Sequence, residues 1–245
     1  ILISNLYQAA MIWESDAMRA TALQRAWHQA RKSGAGFGTS ARVSIPIIRE
    51  IKPHPDLIWF VHDVTRALIT GGEVDLAWEW LRIASIEGES GNLHAQSTAD
   101  SLWPLLQMAD PEGAYMQDSE RARSWWNNLG KLNGSVEFDK LALLFTLYEA
   151  LGDGLPDSAW DPLFAAPLTV TSYQPSPAVS HALREASEAG RLAETVLLSL
   201  VAMGDIGSEG SDSTTLFNVI QALRKVGLAS EARSIALEAA LARGL

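Results

Sequence analysis

Apolar side chains recur along this chain at intervals of three and four residues, which is the spacing of one face of an α-helix. The pattern is clearest on the two sides of Gly227, where each side has four residues on one helical face: Leu216, Val219, Leu223 and Val226 before it, and Leu228, Ala232, Ile235 and Ala239 after it. Each set predicts an amphipathic helix, and the glycine between them predicts a turn. This stretch is therefore predicted to be a helical hairpin.

The same periodicity predicts six hairpins over the whole chain. The paired ranges are 15–32 with 40–51, 56–70 with 73–87, 93–109 with 117–129, 136–151 with 157–164, 178–189 with 191–203, and 213–226 with 229–243, preceded by a helix at 3–13. The β-like run Leu168–Tyr173 lies between prolines and is predicted to be an extended loop. The prediction is one all-α domain over residues 1–245, with a discontinuity at 165–177. Because the chain opens at Ile1 and not at Met, we expect it to be the C-terminal part of a longer protein.

Internal similarity supports the hairpins. Three segments place a glycine first and small residues five and twelve positions later: Gly72 with Ala77 and Ala84, Gly190 with Thr195 and Ala202, and Gly227 with Ala232 and Ala239. Glycine accepts the left-handed backbone that ends a helix, and small side chains let a neighbouring helix approach closely. Six glycines have successive separations of 38, 41, 39, 38 and 37 residues: Gly34, Gly72, Gly113, Gly152, Gly190 and Gly227. The repeat period is therefore predicted to be near 39 residues.

This pattern resembles that of tetratricopeptide-like helical-repeat proteins, in the small residue after the turn and the alanine at the end of the second helix. The signature tryptophan, the glycine–tyrosine pair and the closing proline of that family are not reproduced in register. The resemblance implies a right-handed α-solenoid of about six hairpins that binds a protein or peptide partner. It implies no catalytic residues.

Tryptophan is abundant, with nine in 245 residues. Trp78 and Trp80 point about 160° apart on one helix, so both are buried only if that helix is packed on two sides. Trp125 and Trp126 are adjacent and follow the charged segment Asp118–Ser124, so one of them must face away from whatever the other contacts. Core filling accounts for most of the tryptophans. The functional prediction is that these four bind a partner, because aromatic side chains anchor many interfaces.

Charge and cysteine content exclude several functions. The chain has 29 acidic and 19 basic residues and a net charge of −10, which disfavours nucleic-acid binding and favours a partner with basic character. It has no cysteine, so thiolate metal sites, disulfides and cysteine nucleophiles are excluded, while cytoplasm and periplasm both remain open. The apolar run Leu192–Met203 is too short to span a bilayer and contains Glu194, so no direct membrane insertion is predicted.

Three segments were tested as ligand sites, and no metal or cofactor is predicted at any of them. In Gly204–Thr215, counting from Asp205, a calcium loop would need oxygen ligands at positions that hold Gly207 and Leu216. We expect instead that Gly204 ends a helix, that a flexible middle follows, and that Asp212 or Ser213 caps the next helix.

The other two segments also have simpler explanations. His54 and His62 are eight residues apart, which does not fit a metal pair on a helix, and Asp56 is predicted to be a helix N-cap. The glycine-rich Gly34–Gly38 lacks a preceding strand and a following lysine–serine or lysine–threonine pair, so it is predicted to be a flexible turn and not a phosphate loop.

The predicted function is a non-enzymatic scaffold or assembly factor within a larger complex. The alternative is an (α/α)₆-toroid carbohydrate-active enzyme, which would need two carboxylates flanking a sugar. Glu79, Asp100 and Asp161, each close in sequence to a tryptophan, are the candidates for that pair. A structural subunit that assembles through its last hairpin is the third hypothesis.

Overall fold

The computed structural model describes residues 2–32, 37–110, 135–153, 160–164 and 175–245. These residues form eleven helices of eleven or more residues: α1 (Leu2–Ile12), α2 (Asp16–Lys32), α3 (Phe37–Ile48), α4 (Ile58–Gly71), α5 (Val74–Glu89), α6 (Leu93–Ala109), α7 (Ser135–Leu151), α8 (Pro177–Glu188), α9 (Leu192–Met203), α10 (Ser213–Lys225) and α11 (Ala229–Ala242). Short helical turns occur at Pro55–Leu57, Asp161–Phe164, Gly204–Ile206 and Gly207–Gly210. The all-α class is confirmed for the described residues, and none of their helices is long and apolar enough to cross a membrane.

Some predictions fall outside the described residues. They are the helix at 117–129, the first three residues of the helix at 157–164, most of the loop at 165–177, and the first and third glycines of the 39-residue period. Every longer helix that is described begins and ends within three residues of its predicted bounds.

The chain divides into two compact units, an N-terminal unit (Ile1–Asp110) and a C-terminal unit (Pro111–Leu245). In the N-terminal unit each helix packs on the next one along the chain, and α2, α4 and α6 also touch in turn. In the C-terminal unit α8 and α9 form one hairpin, α10 and α11 form another, and α10 packs on both α8 and α9. Packing between successive hairpins is typical of helical-repeat proteins. The single repeat domain stays a prediction.

Glycines in the left-handed conformation make the hairpin turns. Gly72, Gly190 and Gly227 have φ values of +79°, +68° and +88°. In each turn the glycine N–H donates to the carbonyl three residues earlier, and the next N–H donates to the carbonyl five residues before its own residue. This pair of bonds satisfies carbonyls that the helix end would leave without partners. The predicted role of these three glycines is confirmed.

The small residues after those glycines lie in the helix-packing interface. All six are buried, with at most 1% of their surface exposed: Ala77, Ala84, Thr195, Ala202, Ala232 and Ala239. A larger side chain at any of these positions would force the neighbouring helices apart, because protein cores are already close-packed. The repeated spacing in the sequence therefore marks repeated close helix contacts.

A contact between distant parts of the sequence completes the C-terminal unit. Helix α7 packs on α10 and α11, although α8 and α9 come between them in the chain. The Arg233 guanidinium donates to both carboxylate oxygens of Asp153, at 2.7 and 3.0 Å, and Arg224 Nη1 donates to the Ala150 carbonyl at 2.8 Å. An ideal repeat stack has contacts between successive repeats only, so the glycine period does not predict this arrangement.

The connection between α9 and α10 agrees with its prediction at both ends. Gly204 ends α9 with φ +62°, and Asp212 caps α10 by accepting from the backbone N–H of Thr214 at 2.9 Å and of Thr215 at 3.1 Å. The middle differs, because it forms the two helical turns between residues 204 and 210 where a flexible segment was expected. Across the described residues, no group of three or more His, Asp or Glu is placed to hold a metal ion.

The prediction that Asp56 caps a helix is wrong. The chain enters α4 through the turn Pro55–Leu57, and the cap of that turn is His54, whose Nδ1 accepts from the Asp56 backbone N–H at 3.2 Å. The turn begins three residues before the α-helix proper, and Pro55 occupies its first position. Asp56 therefore lies inside the turn, with its side chain exposed.

Candidate functional site

A groove of about 300 Å³ lies between α8 and α10 in the C-terminal unit. Its lining residues recur every three or four positions on each helix, so each helix contributes one face: Pro177, Ser180, His181, Leu183, Arg184 and Ser187 from α8, and Asn218, Gln221, Ala222 and Lys225 from α10. Local signals define both helices. Ser176 caps α8 ahead of Pro177, and Asp212 caps α10.

The groove has an apolar floor and a polar rim. Leu183, Ser187 and Ala222 are buried with 2–4% of their surface exposed, and the Ser187 hydroxyl donates to the Arg184 carbonyl at 2.8 Å. Glu188 is the last residue of α8 and Lys225 is the last residue of α10, and their side chains form an ion pair at 3.8 Å. Small side chains at positions 187 and 222 leave the open volume above the floor.

The rim is cationic, although the chain as a whole carries a net charge of −10. Arg184 and Lys225 line it together with His181, and none of the lining residues in the described ranges is a carboxylate. Arg184 Nη2 lies 2.9 Å from His181 Nδ1, which leaves other guanidinium N–H groups open to a ligand. The Lys225–Glu188 pair is about half exposed on both sides, so it competes weakly with a ligand for the ammonium group.

Two side-chain amides also line the groove. Asn218 and Gln221 are one helical turn apart on α10. In the part of the chain that the structure describes, neither amide has a hydrogen-bond partner. Each amide has hydrogen-bond donors and an acceptor. Together they match a ligand that has both donors and acceptors, such as a peptide backbone.

The tryptophans predicted to bind a partner lie elsewhere. Trp78 and Trp80 have 5% and 0% of their surface exposed. The two side chains point in nearly opposite directions from α5, and both are buried because α5 packs on α4 and also on α6. Trp80 packs edge-on against Phe60 with ring centres 5.8 Å apart, and the Trp78 indole N–H donates to Asp110 at 3.3 Å. Both rings are therefore part of the core of the N-terminal unit. Trp125 and Trp126 lie outside the described residues, and the binding role of all four stays a prediction.

The carboxylates of the alternative enzyme hypothesis do not line the groove. Glu79 is exposed on α5 and Asp100 is partly buried on α6, while Asp161 is exposed in the C-terminal unit beside the partly buried Trp160. Among the residues that the structure describes, no carboxylate lines the groove, so these residues do not supply the pair that glycoside hydrolysis needs.

Buried charge in the N-terminal unit has a structural explanation. Asp63 on α4 accepts from Gln24 at 2.9 Å and pairs with Arg31 at 3.3 Å, which connects α2 to α4. Burial and, to a smaller extent, the positive charge of Arg31 lower the pKa of Arg66 to about 10. The negative charge of Asp63 acts in the opposite direction. Since these groups connect two core helices and line no described cavity, we assign them to stability.

An apolar surface is the second feature outside the core. Helix α9 exposes 64% of Leu197, 58% of Leu200 and 54% of Val201. These positions are spaced by three and one, so they lie on one face of the helix. Exposed apolar residues are common singly, whereas a contiguous group marks an interaction surface more often.

Comparison of the chain with protein-family models, with curated proteins and with solved structures found no match. The resemblance to tetratricopeptide-like proteins therefore stays a prediction.

Sequence reasoning missed the groove residues Arg184, Asn218, Gln221 and Lys225. The available signal was their spacing of three or four residues on the first helices of two successive hairpins. Recognising it requires knowing that these two helices are neighbours and which of their faces meet.

Proposed function

We propose that this chain is a non-enzymatic interaction module of the tetratricopeptide-like type, a right-handed α-solenoid of hairpins with a period near 39 residues. Its groove between α8 and α10 holds a segment of a partner protein, and the module acts as a scaffold or assembly factor in a larger complex. The groove is the observation that carries the proposal. Successive packing of helices and the repeated glycine turn support the hairpin stack.

The proposed ligand is an acidic segment. Arg184 and Lys225 provide cationic donors on the two sides of the groove, and none of its described lining residues is a carboxylate, although Glu188 outside the lining pairs with Lys225 at 3.8 Å. Hydrogen bonds between charged groups are stronger than neutral ones, so carboxylates on the ligand would contribute most of the affinity. The overall charge of the chain favours a basic partner, but local groups within a few ångströms dominate recognition because longer-range interactions are screened by salt.

The amides favour a peptide over a free anion. A phosphate or a small carboxylate only accepts hydrogen bonds from this rim, which would leave the carbonyl oxygens of Asn218 and Gln221 without partners. An extended peptide backbone presents both N–H and C=O groups at intervals that suit two amides one helical turn apart. The proposed binding mode is therefore an extended acidic peptide that lies along the groove.

Fluorescence anisotropy with short labelled peptides tests the proposal directly. A peptide of alternating glutamate and alanine should bind the full chain, and the same peptide with lysine in place of glutamate should not. Arg184→Ala and Lys225→Ala should each weaken binding by about 2- to 5-fold, because both side chains are exposed and an exposed ion pair contributes at most about 1 kcal/mol.

Arg82→Ala is the matched control. Arg82 is an exposed cation on α5, outside the groove, so its replacement changes the net charge equally without touching the groove. If Arg82→Ala weakens binding as much as Arg184→Ala does, the attraction is nonspecific and the assignment of the groove is wrong. If no acidic peptide binds the full chain, the acidic ligand is wrong.

A further inference from the structure

His181 is the one histidine among the described residues that line the groove. The imidazole group changes its charge between about pH 5 and pH 8, whereas arginine and lysine side chains stay charged throughout that range. The rest of the described lining consists of the two cations, Arg184 and Lys225, and of hydroxyl, amide and apolar side chains. The charge of the rim therefore depends on the protonation state of a single side chain.

The contact between His181 and Arg184 requires one of those protonation states. Arg184 Nη2 lies 2.9 Å from His181 Nδ1, across one turn of α8. A guanidinium group donates hydrogen bonds and has no acceptor, so Nδ1 must be the acceptor and cannot carry a proton. The imidazole in this contact is therefore neutral, with its proton on Nε2.

Protonation of the ring breaks the contact. Nδ1 then becomes a donor, which would leave two donors and two positive charges 2.9 Å apart. Both side chains are exposed on α8, so they can separate into solvent without disturbing the core. Arg184 then loses its hydrogen bond to the ring, which makes more of its N–H groups available to a ligand. The rim also gains one positive charge.

The other charged groups near His181 on α8 and α10 provide a constant field. Besides Arg184, α8 carries Glu185 one turn from His181, and Glu188, which pairs with Lys225 of α10 at 3.8 Å. Carboxylate, guanidinium and ammonium groups ordinarily keep their charges between about pH 5.5 and pH 8. The charge on the imidazole is added to this field.

The helices packed against α8 contribute no further histidine. Helix α9 carries one acid, Glu194, which pairs with Arg191 at 2.6 Å. On α10, Arg224 Nη1 donates to the Ala150 carbonyl at 2.8 Å, and Arg224 does not line the groove. Neither α9 nor α10 contains a histidine. His181 is therefore the group through which pH can act on this part of the structure.

We infer that His181 makes ligand binding by the groove sensitive to pH: acidification protonates the ring, releases Arg184 and tightens the binding of an acidic segment. This inference rests on the proposed ligand of the groove. Because an exposed ion pair is weak, affinity should rise only about 2- to 5-fold between about pH 8 and pH 5.5. By linkage, the bound ligand favours the protonated ring by the same factor.

Fluorescence anisotropy with the glutamate–alanine peptide tests the inference over the range from about pH 8 to pH 5.5, in which the peptide carboxylates stay ionised. The native chain should bind about 2- to 5-fold more tightly at the lower pH, and His181→Gln should lose most of that rise. His94→Gln is the matched control, because His94 is exposed on α6 outside the groove, and it should keep the rise.

The outcomes separate this inference from the proposed function. If the native chain binds the peptide with the same affinity at both pH values, or if His181→Gln keeps the rise, the pH sensitivity is wrong while the acidic ligand stands. If no acidic peptide binds at any pH, the acidic ligand is wrong.

NMR of the free chain tests the contact without any ligand, because long-range proton–nitrogen spectra distinguish the two neutral forms of the imidazole. At about pH 8, His181 should be more fully in the form with its proton on Nε2 than the control His94 is, and Arg184→Met should remove that difference. Equal populations at the two histidines, or no effect of Arg184→Met, would overturn the inference even if acidic peptides bind.

Discussion

The turn at Gly152 offers the sharpest test of how the C-terminal unit is held together. Gly152 follows α7 and has φ +74°, and an added Cβ would lie 2.6 Å from Arg224 Nη2 and 2.9 Å from Nη1. The same guanidinium holds the Ala150 carbonyl at 2.8 Å. Gly152→Ala should therefore strain the backbone and also displace Arg224 from the end of α7.

Gly227→Ala isolates the backbone part of that effect. Gly227 has φ +88°, but an added Cβ there meets nothing within 4 Å. A non-glycine residue in the left-handed region costs about 1–2 kcal/mol, and the lower entropy of the unfolded alanine chain offsets part of this. We expect about 1 kcal/mol of destabilisation for Gly227→Ala. For Gly152→Ala we expect about 2 kcal/mol, because a hydrogen bond from a charged group is lost at a partly exposed site.

A double-mutant cycle separates the two causes. In an Arg224→Met background the clash is absent, so Gly152→Ala should cost only the backbone part, about 1 kcal/mol. The assay is urea unfolding of the full chain, with hydrogen exchange to follow α7 and α10 separately. The coupling should exceed the roughly 0.5 kcal/mol seen for sites that do not interact. Equal costs for the two glycines, or no coupling with Arg224, would refute the reasoning.

Three further substitutions test the packing of the same unit by urea unfolding. Ala232→Leu should destabilise by about 1–3 kcal/mol because its side chain is fully buried, whereas Ala229→Leu on the exposed side of α11 should be nearly neutral; equal effects would contradict the close helix contact. Asp212→Ala should cost about 1 kcal/mol through loss of the α10 cap, and an unchanged midpoint would contradict that role. Asp153→Ala should cost about 1–3 kcal/mol because Arg233 loses a bidentate, partly buried partner; no loss of α7 protection from hydrogen exchange would count against it.

Helix positions and turns were predictable because their signals are local. The left-handed glycines and the small residues after them act within one hairpin, so the signals for the turn and for the following helix are close together in the sequence. The error at Asp56 arose from a choice between two neighbouring caps, which sequence alone does not resolve when a short turn precedes the helix.

The candidate surfaces were not predictable, because they depend on contacts between distant residues. The groove requires that the faces of α8 and α10 meet, and the packing of α7 on the last hairpin follows from no repeat period. Periodicity identifies α9 as a helix but does not give its rotation, and the inward position of Ser199 and outward position of Leu197 follow only from the packing. The tryptophans drew attention because of their number, yet Trp78 and Trp80 are core residues.

Site-specific photo-crosslinking tests the central claim, that the groove binds a segment of a partner protein, most directly. A photoreactive residue replaces Asn218 in the groove, and a control replaces the exposed Glu238 on α11. The chain is irradiated in extract of the cells it comes from. We predict one partner linked through an acidic segment at position 218, displaced by the glutamate–alanine peptide and absent at 238. The same adducts at both positions, or an adduct that the peptide does not displace, would contradict the claim.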